Sequence, residues 1–245
     1  MNGLDGTAQD QDQILALLWG GPRERARGPK PTITVPDIAR AAVAIADVQG
    51  IDAVLMQTVA AELGVTKMAL YRYVHDKNGL LAVMIEEAVD DPPDLSGVGG
   101  GWRPRVEEFT RLLSVVWTRH PWLPWLTIGD RPMGPREVGW VECAIGALDD
   151  TGLRGNERLD AAFMIFGHIR TTMSLTTAGT QPWTSDRNSR PPMQRLLYEN
   201  SERYPALTAA MDEVTPAPAQ DQGRAFGLTC ILDGLEVLIR SRLTS

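Results

Sequence analysis

Apolar residues recur at intervals of three and four along most of the chain, and the two-residue alternation typical of half-buried strands is nearly absent. The first helical segment is predicted to begin after Thr34, an N-cap residue type, with Pro36 in its first turn, and to stop at Gly50. Later segments with the same spacing are 134–151, 156–178, 192–202 and 221–241. The pattern predicts an all-α protein.

Glycine and proline divide the chain into parts. Asp90–Gly101 contains two prolines and four glycines, which is typical of a break between domains. The tract Arg23–Lys30 has no periodicity and reads as a basic arm, after an apolar patch at Ile14–Trp19. The predicted parts are a flexible basic arm over 1–31, a first domain over 32–89, a linker over 90–101 and a second domain over 102–245. Loops are predicted at 180–192 and 214–220.

The formal net charge of −7 is unevenly distributed. Residues 23–85 carry eight basic and six acidic side chains, a net charge of +2, whereas residues 86–245 carry sixteen and twenty-two, a net charge of −6. All three lysines lie within 23–85. A basic segment on an acidic body suits attraction to phosphates by one part of the protein, although a charge of +2 alone also arises by chance.

Residues 56–74 meet the physical requirements of two helices joined by a tight corner. Ala60 is small enough for a second helix to cross closely, and Gly64 can take the left-handed conformation that ends the first helix. Thr66 can cap the second helix, whose first turn then faces outward. An ordinary helical hairpin would show the same glycine. The aromatic and basic residues within 70–77 favour a helix-turn-helix that binds DNA.

Across residues 33–89 the sequence resembles the TetR family, the tetracycline-repressor-like regulators. The residues that carry the resemblance are Ile38-Ala39-x-x-Ala42, Gly50, Val59-Ala60-x-x-Leu63-Gly64-Val65, Leu70-Tyr71-x-Tyr73-Val74 and Lys77-x-x-Leu80-Leu81. The second half is similar, more loosely, to the tetracycline-repressor type of ligand domain through Trp102-Arg103, Gly129-x-Arg131-Pro132 and Phe226-Gly227-Leu228-x-x-x-Leu232-Asp233-Gly234-Leu235. The resemblance implies an N-terminal three-helix helix-turn-helix DNA-binding domain followed by a helical ligand-binding and dimerisation domain.

The resemblance also implies which side chains contact DNA. The predicted contacts are base edges for Gln57, Lys67 and Met68, and phosphates for Tyr71, Tyr73, Lys77 and either Thr58 or Thr66. These roles make chemical sense, since a lysine can donate to guanine O6 or N7 and a phenol can donate to a phosphate. Half-buried packing of Tyr71 against the first helix is an alternative that is compatible with a phosphate contact.

The function that follows is that of a transcriptional repressor. The expected partners are double-stranded DNA with a pseudo-palindromic operator, a second copy of the chain in a homodimer, and a small-molecule effector that releases the operator. A ligand-dependent activator on the same fold differs only in the sign of the coupling. A helical enzyme using the aromatic pocket lacks a nucleophile–base pair, paired carboxylates or a phosphate loop in the sequence.

Six tryptophans lie in residues 102–245. An aromatic-lined cavity for a hydrophobic or aromatic effector is one interpretation, and ordinary core filling is the other. The residues predicted to line such a cavity are Trp117, Trp122, Trp125, Trp140, Phe163 and His168. A dimer seam is predicted on the last helix from the spacing of Leu228, Ile231, Leu235 and Leu238, although the same stripe could pack within one subunit.

Metal, cofactor and membrane sites are not predicted. Tetracycline repressors hold a metal-chelated drug with histidine, and this chain has no histidine at the matching positions near Pro92 and Thr127, which argues against a magnesium–tetracycline effector. Cys143 and Cys230 lack metal or redox spacing, which favours a reduced, cytoplasmic setting. No apolar run approaches the ~20 residues that span a bilayer.

Overall fold

The computed structural model describes residues 8–20, 33–178, 192–213 and 222–243, and in these ranges all regular secondary structure is helical. The α-helices are α1 Ala8–Trp19, α2 Val35–Gln49, α3 Met56–Glu62, α4 Lys67–Val74, α5 Lys77–Ala88, α6 Trp102–Arg119, α7 Leu123–Leu126, α8 Pro135–Gly146, α9 Gly155–Ala178, α10 Pro192–Glu199, α11 Pro205–Glu213 and α12 Gln222–Leu243. The all-α prediction is confirmed. None of the described helices is long and apolar enough to cross a membrane.

Helix α2 begins where the sequence predicts. The Thr34 hydroxyl accepts the Asp37 backbone N–H at 3.3 Å, and the Asp37 carboxylate accepts the Thr34 N–H at 2.9 Å, which makes a capping box. Gly50 ends the helix with a φ of 84°. Ile38 and Ala42 on this helix are fully buried beside α5, so α2 and α5 form the centre of the N-terminal domain.

The corner between α3 and α4 also matches its prediction. Gly64 has a φ of 65°, in the left-handed region that favours glycine. Ala60 is buried, and its carbonyl accepts the Val65 N–H at 3.0 Å. The Thr66 hydroxyl accepts the Ala69 N–H at 3.2 Å and caps α4, whose Leu70 faces the core.

The prediction of a flexible arm over 1–31 is wrong for Ala8–Trp19, which form α1. This helix packs on α5 and buries Ile14. Its C-terminal half carries the apolar patch, and burial of that patch against α5 stabilises the helix. The Trp19 indole N–H donates to the Met133 carbonyl at 2.9 Å and so reaches the C-terminal domain. The basic tract Arg23–Lys30 lies outside the described residues.

The C-terminal domain is built around α6, α8, α9 and α12. Phe109 at its centre lies 5.8 Å from the Trp140 ring and 5.4 Å from the Phe166 ring, between centroids. Arg103 joins α6 to α12 through an ion pair with Asp233 at 2.8 Å. The segment predicted as one helix over 192–202 is shorter, and α11 follows it without having been predicted. The predicted loops at 180–192 and 214–220 lie outside the described residues, except for Pro192.

Asp90–Gly101 contains no helix, as its composition predicts. It packs on the C-terminal domain: Leu95 is buried, and the Cys143 thiol on α8 donates to the Pro93 carbonyl at 3.1 Å. The segment therefore follows α8 closely and connects α5 to α6 over its surface.

Candidate nucleic-acid interface and effector cavity

The side chains predicted to contact DNA are all accessible. Gln57, Thr66, Lys67, Met68 and Lys77 are exposed, and Thr58, Tyr71 and Tyr73 are half-buried. They lie on α3, at the N-cap and along the body of α4, and at the first residue of α5. The structure therefore brings all eight residues to the helix-turn-helix and its immediate continuation.

The first turn of α4 presents an apolar and a cationic side chain to solvent. Met68 is 72% exposed, which is unusual for a large apolar residue and leaves it free to contact another molecule. The Lys67 Nζ lies 5.5 Å from the centroid of the Tyr71 ring, one turn later. The Tyr71 ring packs at the edge of the core and provides a fixed surface for the lysine. Tyr71 is thus half-buried, as the alternative interpretation proposed, and also accessible to another molecule.

The turn between α4 and α5 places a second cation, Lys77, close to the corner between α3 and α4. His75 ends α4 with a φ of 56°, and the Asp76 carboxylate caps α5 by accepting the Gly79 N–H at 2.7 Å. A Cβ on Gly79 would collide with the Val74 carbonyl oxygen, so glycine is required for this tight turn. Lys77 is thereby fixed on the first turn of α5 with its side chain exposed.

A cavity of about 160 Å³ lies in the C-terminal domain between α6, α8, α9 and the segment before α8. Of the six residues predicted to line a cavity, Trp117, Trp140 and Phe163 line this one. The indole N–H of Trp140 donates to the Val89 carbonyl at 3.0 Å, which fixes the ring against the wall. Phe163 is 56% exposed, so it both lines the cavity and reaches the protein surface.

Three predicted pocket residues lie elsewhere. The Trp122 indole donates to the Asp47 carboxylate at 2.7 Å, at the joint between the two domains. Trp125 is 46% exposed on α7 and does not line the cavity. The His168 Nε2 is bonded to the Arg224 carbonyl at 2.9 Å, between α9 and α12. Their aromatic character alone therefore did not place them around the cavity.

The polar lining of the cavity is not predicted by the sequence pattern. Arg131 forms a bidentate ion pair with Glu137, and both side chains are at least nine-tenths buried. Arg170 on α9 also lines the cavity, with its guanidinium carbon 5.7 Å from the centroid of the Trp117 ring. Only the Gly129-x-Arg131-Pro132 motif drew attention to this region, and nothing in the local sequence marks Arg170.

Burial lowers the pKa of the Arg170 guanidinium from its ordinary value, the positive charge of Arg131 lowers that pKa further, and the negative charge of Glu137 partly opposes both. Arginine remains protonated in proteins, so the shift reports how unfavourable the surroundings are for this charge. The cavity is therefore apolar and aromatic over most of its wall and locally electropositive at one end.

Two carboxylates of the N-terminal domain accept hydrogen bonds from groups of the C-terminal domain. Glu86 on α5 accepts the Arg136 backbone N–H at 2.7 Å, at the N-terminus of α8. Gly134 lets it approach, since a Cβ there would collide with the carboxylate. Asp47 on α2 contacts His120 Nδ1 at 2.9 Å as well as Trp122. Both contacts join the two domains.

The Glu86 joint lies next to the cavity. Glu137, the residue after Arg136, belongs both to the α8 N-terminus and to the ion pair in the cavity wall. Burial raises the pKa of the Glu86 carboxyl, against a lowering by the backbone N–H of Arg136. A change in the cavity wall at Glu137 is therefore one residue away from a contact with the DNA-binding domain.

Two family models match the chain. The model of the bacterial regulatory proteins, tetR family, matches residues 38–84, and the model of the tetracyclin repressor-like C-terminal domain matches residues 96–239. The chain is also 36% identical over 244 residues to the HTH-type transcriptional repressor DrrR1 of Streptomyces coeruleorubidus, across 95% of this chain and 88% of the relative.

Solved structures share the fold. Apo ActR from Streptomyces coelicolor matches with a TM-score of 0.72 at 20% identity, over 87% of this chain and 99% of that one. ActR in complex with actinorhodin matches with a TM-score of 0.67 at 20% identity, over 86% and 99%.

Proposed function

The chain belongs to the TetR family of bacterial transcriptional regulators, and we propose that it represses transcription as a homodimer that releases a pseudo-palindromic operator when an effector enters the cavity. The proposal rests mainly on two features that occur together. The Lys67–Met68 turn is exposed, and an aromatic cavity is linked through the Arg131–Glu137 ion pair to the contact of Glu86 with α8. The match to DrrR1, named as a repressor, supports the sign.

On DNA, α4 enters the major groove with its first turn. Lys67 donates to a guanine edge, and the exposed Met68 supplies apolar contact of the kind that recognises a thymine methyl group. Tyr71 and Lys77 bond phosphates on either side of the corner and fix the register of α4. Gln57 on α3 adds a further base contact, and Tyr73, Thr58 or Thr66 a further phosphate contact.

The dimer forms through α9 and α12. Leu235 of the predicted seam is buried in its own subunit, where α12 packs on α9. Part of the apolar surface of these two helices nevertheless stays exposed; its residues are Leu159, Phe163, Met164, Phe226, Val237 and Leu238. Pairing α9 and α12 with those of a second copy covers this surface as a four-helix bundle. The two α4 helices then reach major grooves about 34 Å apart.

Release follows from a shift between two domain orientations. An effector in the cavity changes the position of Glu137 and hence of the α8 N-terminus. Because Glu86 is bonded to that N-terminus, α5 tilts with it and carries α4. The spacing of the two α4 helices then no longer fits the operator, and affinity falls. An activator would couple the same parts with the opposite sign.

The function is tested by titrating the protein into labelled DNA from upstream of its own gene, beside scrambled DNA of equal length, over a range of salt concentrations. Specific regulation predicts a preference of about 10³-fold or more for the upstream fragment, with affinity falling steeply as salt rises. Equal and weak binding to both fragments, repeated with a pool of genomic fragments, would contradict the assignment of a sequence-specific regulator.

A further inference from the structure

The cavity wall holds more positive than negative charge. Of its two arginines, Arg131 is neutralised by the bidentate ion pair with Glu137. Within the described ranges of the chain, Arg170 has no carboxylate at ion-pair distance: its recorded contacts are with Thr127 and the Trp117 ring. The Glu137 charge also acts on Arg170, but Glu137 is already paired with Arg131, so the described lining carries one more positive than negative side chain.

The hydrogen bonds of Arg170 are also incomplete. Its Nη2 donates to the Thr127 carbonyl at 3.4 Å and to the Thr127 hydroxyl at 3.5 Å, which are long distances for such bonds. Its Nε is buried and has no hydrogen-bond partner. Arg170 is half-buried, so its charge is partly desolvated without a carboxylate partner of its own, and the buried Nε without an acceptor adds to that cost. A ligand that supplied both would bind with a gain.

We infer that the effector is a planar aromatic anion, an aromatic carboxylate or an ionised phenol, whose oxygens bind the Arg170 guanidinium while its rings lie against Trp117 and Trp140. The inference rests on the proposed function, because it assigns the ligand class of the same cavity. An anion accepts from the planar fork of arginine in a fixed direction. The aromatic walls then select a flat, unsaturated body over an aliphatic one.

The size of the cavity narrows the class further. Its volume of about 160 Å³ is near the ~150 Å³ of an engineered protein cavity that holds benzene, which favours a small ring system of one or two fused rings over a larger one. Of the lining residues, Gly129 and Phe163 are exposed. Phe163 belongs to the apolar surface that the proposed dimer covers, so a larger ring system extends past Gly129. The minimal ligand is therefore a one- or two-ring aromatic acid.

The test compares 2-naphthoate with 2-naphthamide, which has the same rings and no charge. Calorimetric titration into the full-length protein is expected to show the carboxylate binding about tenfold or more tightly than the amide. Arg170→Gln should reduce that ratio to about one, and Arg170→Lys should keep part of it. Arg158→Gln is the matched control, since Arg158 lies on the same helix, outside the cavity, and pairs with Asp149.

Equal binding of acid and amide by the wild-type protein, an unchanged ratio in Arg170→Gln, or no binding of either probe at millimolar concentration would each overturn the inference. The fate of the DNA complex separates the two proposals. If naphthoate binds through Arg170 without weakening the operator complex, the anion site stands and the release model fails. If a neutral compound releases the operator equally from wild type and Arg170→Gln, the release model stands and the anionic class is wrong.

Discussion

The two domains hold the cations of their proposed sites in opposite surroundings. In the N-terminal domain Lys67 and Lys77, which we propose contact DNA, are exposed, so each is hydrated and screened by salt in the free protein. In the C-terminal domain Arg131 and Arg170 lie in a cavity wall, where a charge interacts strongly and needs a specific partner. The first arrangement suits a long, repetitive polyanion and the second a single small anion.

The domains also differ in how their sites are assembled. The proposed DNA-binding surface comes from the continuous stretch 56–77, with its corners fixed by local caps and glycines. The cavity draws on side chains from four separated segments, between Val89 and Arg170. The first site therefore depends on local backbone geometry, and the second on tertiary packing.

The largest effect is expected from removing two phosphate donors at the exposed surface. Tyr71→Phe combined with Lys77→Gln keeps the ring and most of the side-chain volume, but removes a hydroxyl and a charge from each subunit. Operator affinity should fall about 100-fold or more in a dimer, as measured by fluorescence anisotropy. Arg111→Gln changes the charge equally on α6, where Arg111 pairs with Glu108, and should leave affinity unchanged. Unaltered affinity in the double variant would remove these residues from the interface.

A smaller effect is expected from one glycine in each domain. Gly79→Ala forces a Cβ against the Val74 carbonyl and should destabilise the protein by about 1–3 kcal/mol. Gly167→Ala on α9 meets no atom within 4 Å and should stabilise the helix by about 0.5–1 kcal/mol. Thermal unfolding measures both changes. A melting temperature that shifts in the same direction in the two variants would contradict the prediction that only Gly79 is required by its surroundings.

The N-terminal domain was readable from sequence because its determinants are local. Thr34, Gly50 and Gly64 act within a few residues of themselves, so the local sequence predicted both ends of α2 and the corner between α3 and α4. The exception is α1, whose polar first half hid a helix that is stabilised by packing on α5. Because the residues around the short apolar patch are polar, the sequence favoured a flexible arm over a helix.

The cavity could be predicted only as a class. Trp117, Trp140 and Phe163 line it. Trp122 has the same chemistry but lies between the two domains, where it bonds Asp47, a residue so distant in the sequence that the pattern could not pair them. Arg170 was not predicted, since a single arginine on a helix has no local sign of burial. Long-range packing decides which of several equivalent aromatic and basic residues converge.

The smallest effect is expected at Glu86, which joins the domains. Its pKa is raised above the ordinary 4.5 in the folded protein, so the folded state holds that proton more tightly than the unfolded state does. Stability should therefore fall as pH rises from about 4.5 through the folded pKa. Glu86→Gln lacks this loss, so its melting temperature relative to wild type should increase with pH over that window. A constant difference would show that the joint does not titrate.

The central claim is that an occupied cavity disfavours operator binding, and it can be tested without any ligand by filling the cavity from within. Val141→Phe places a larger side chain into the cavity from α8, whereas Val138→Phe, one turn earlier on the same helix, adds it at an exposed position. With both variants folded by thermal unfolding, Val141→Phe should bind the operator at least about fivefold more weakly than wild type, and Val138→Phe equally well. Wild-type or tighter operator binding by Val141→Phe would contradict the release model.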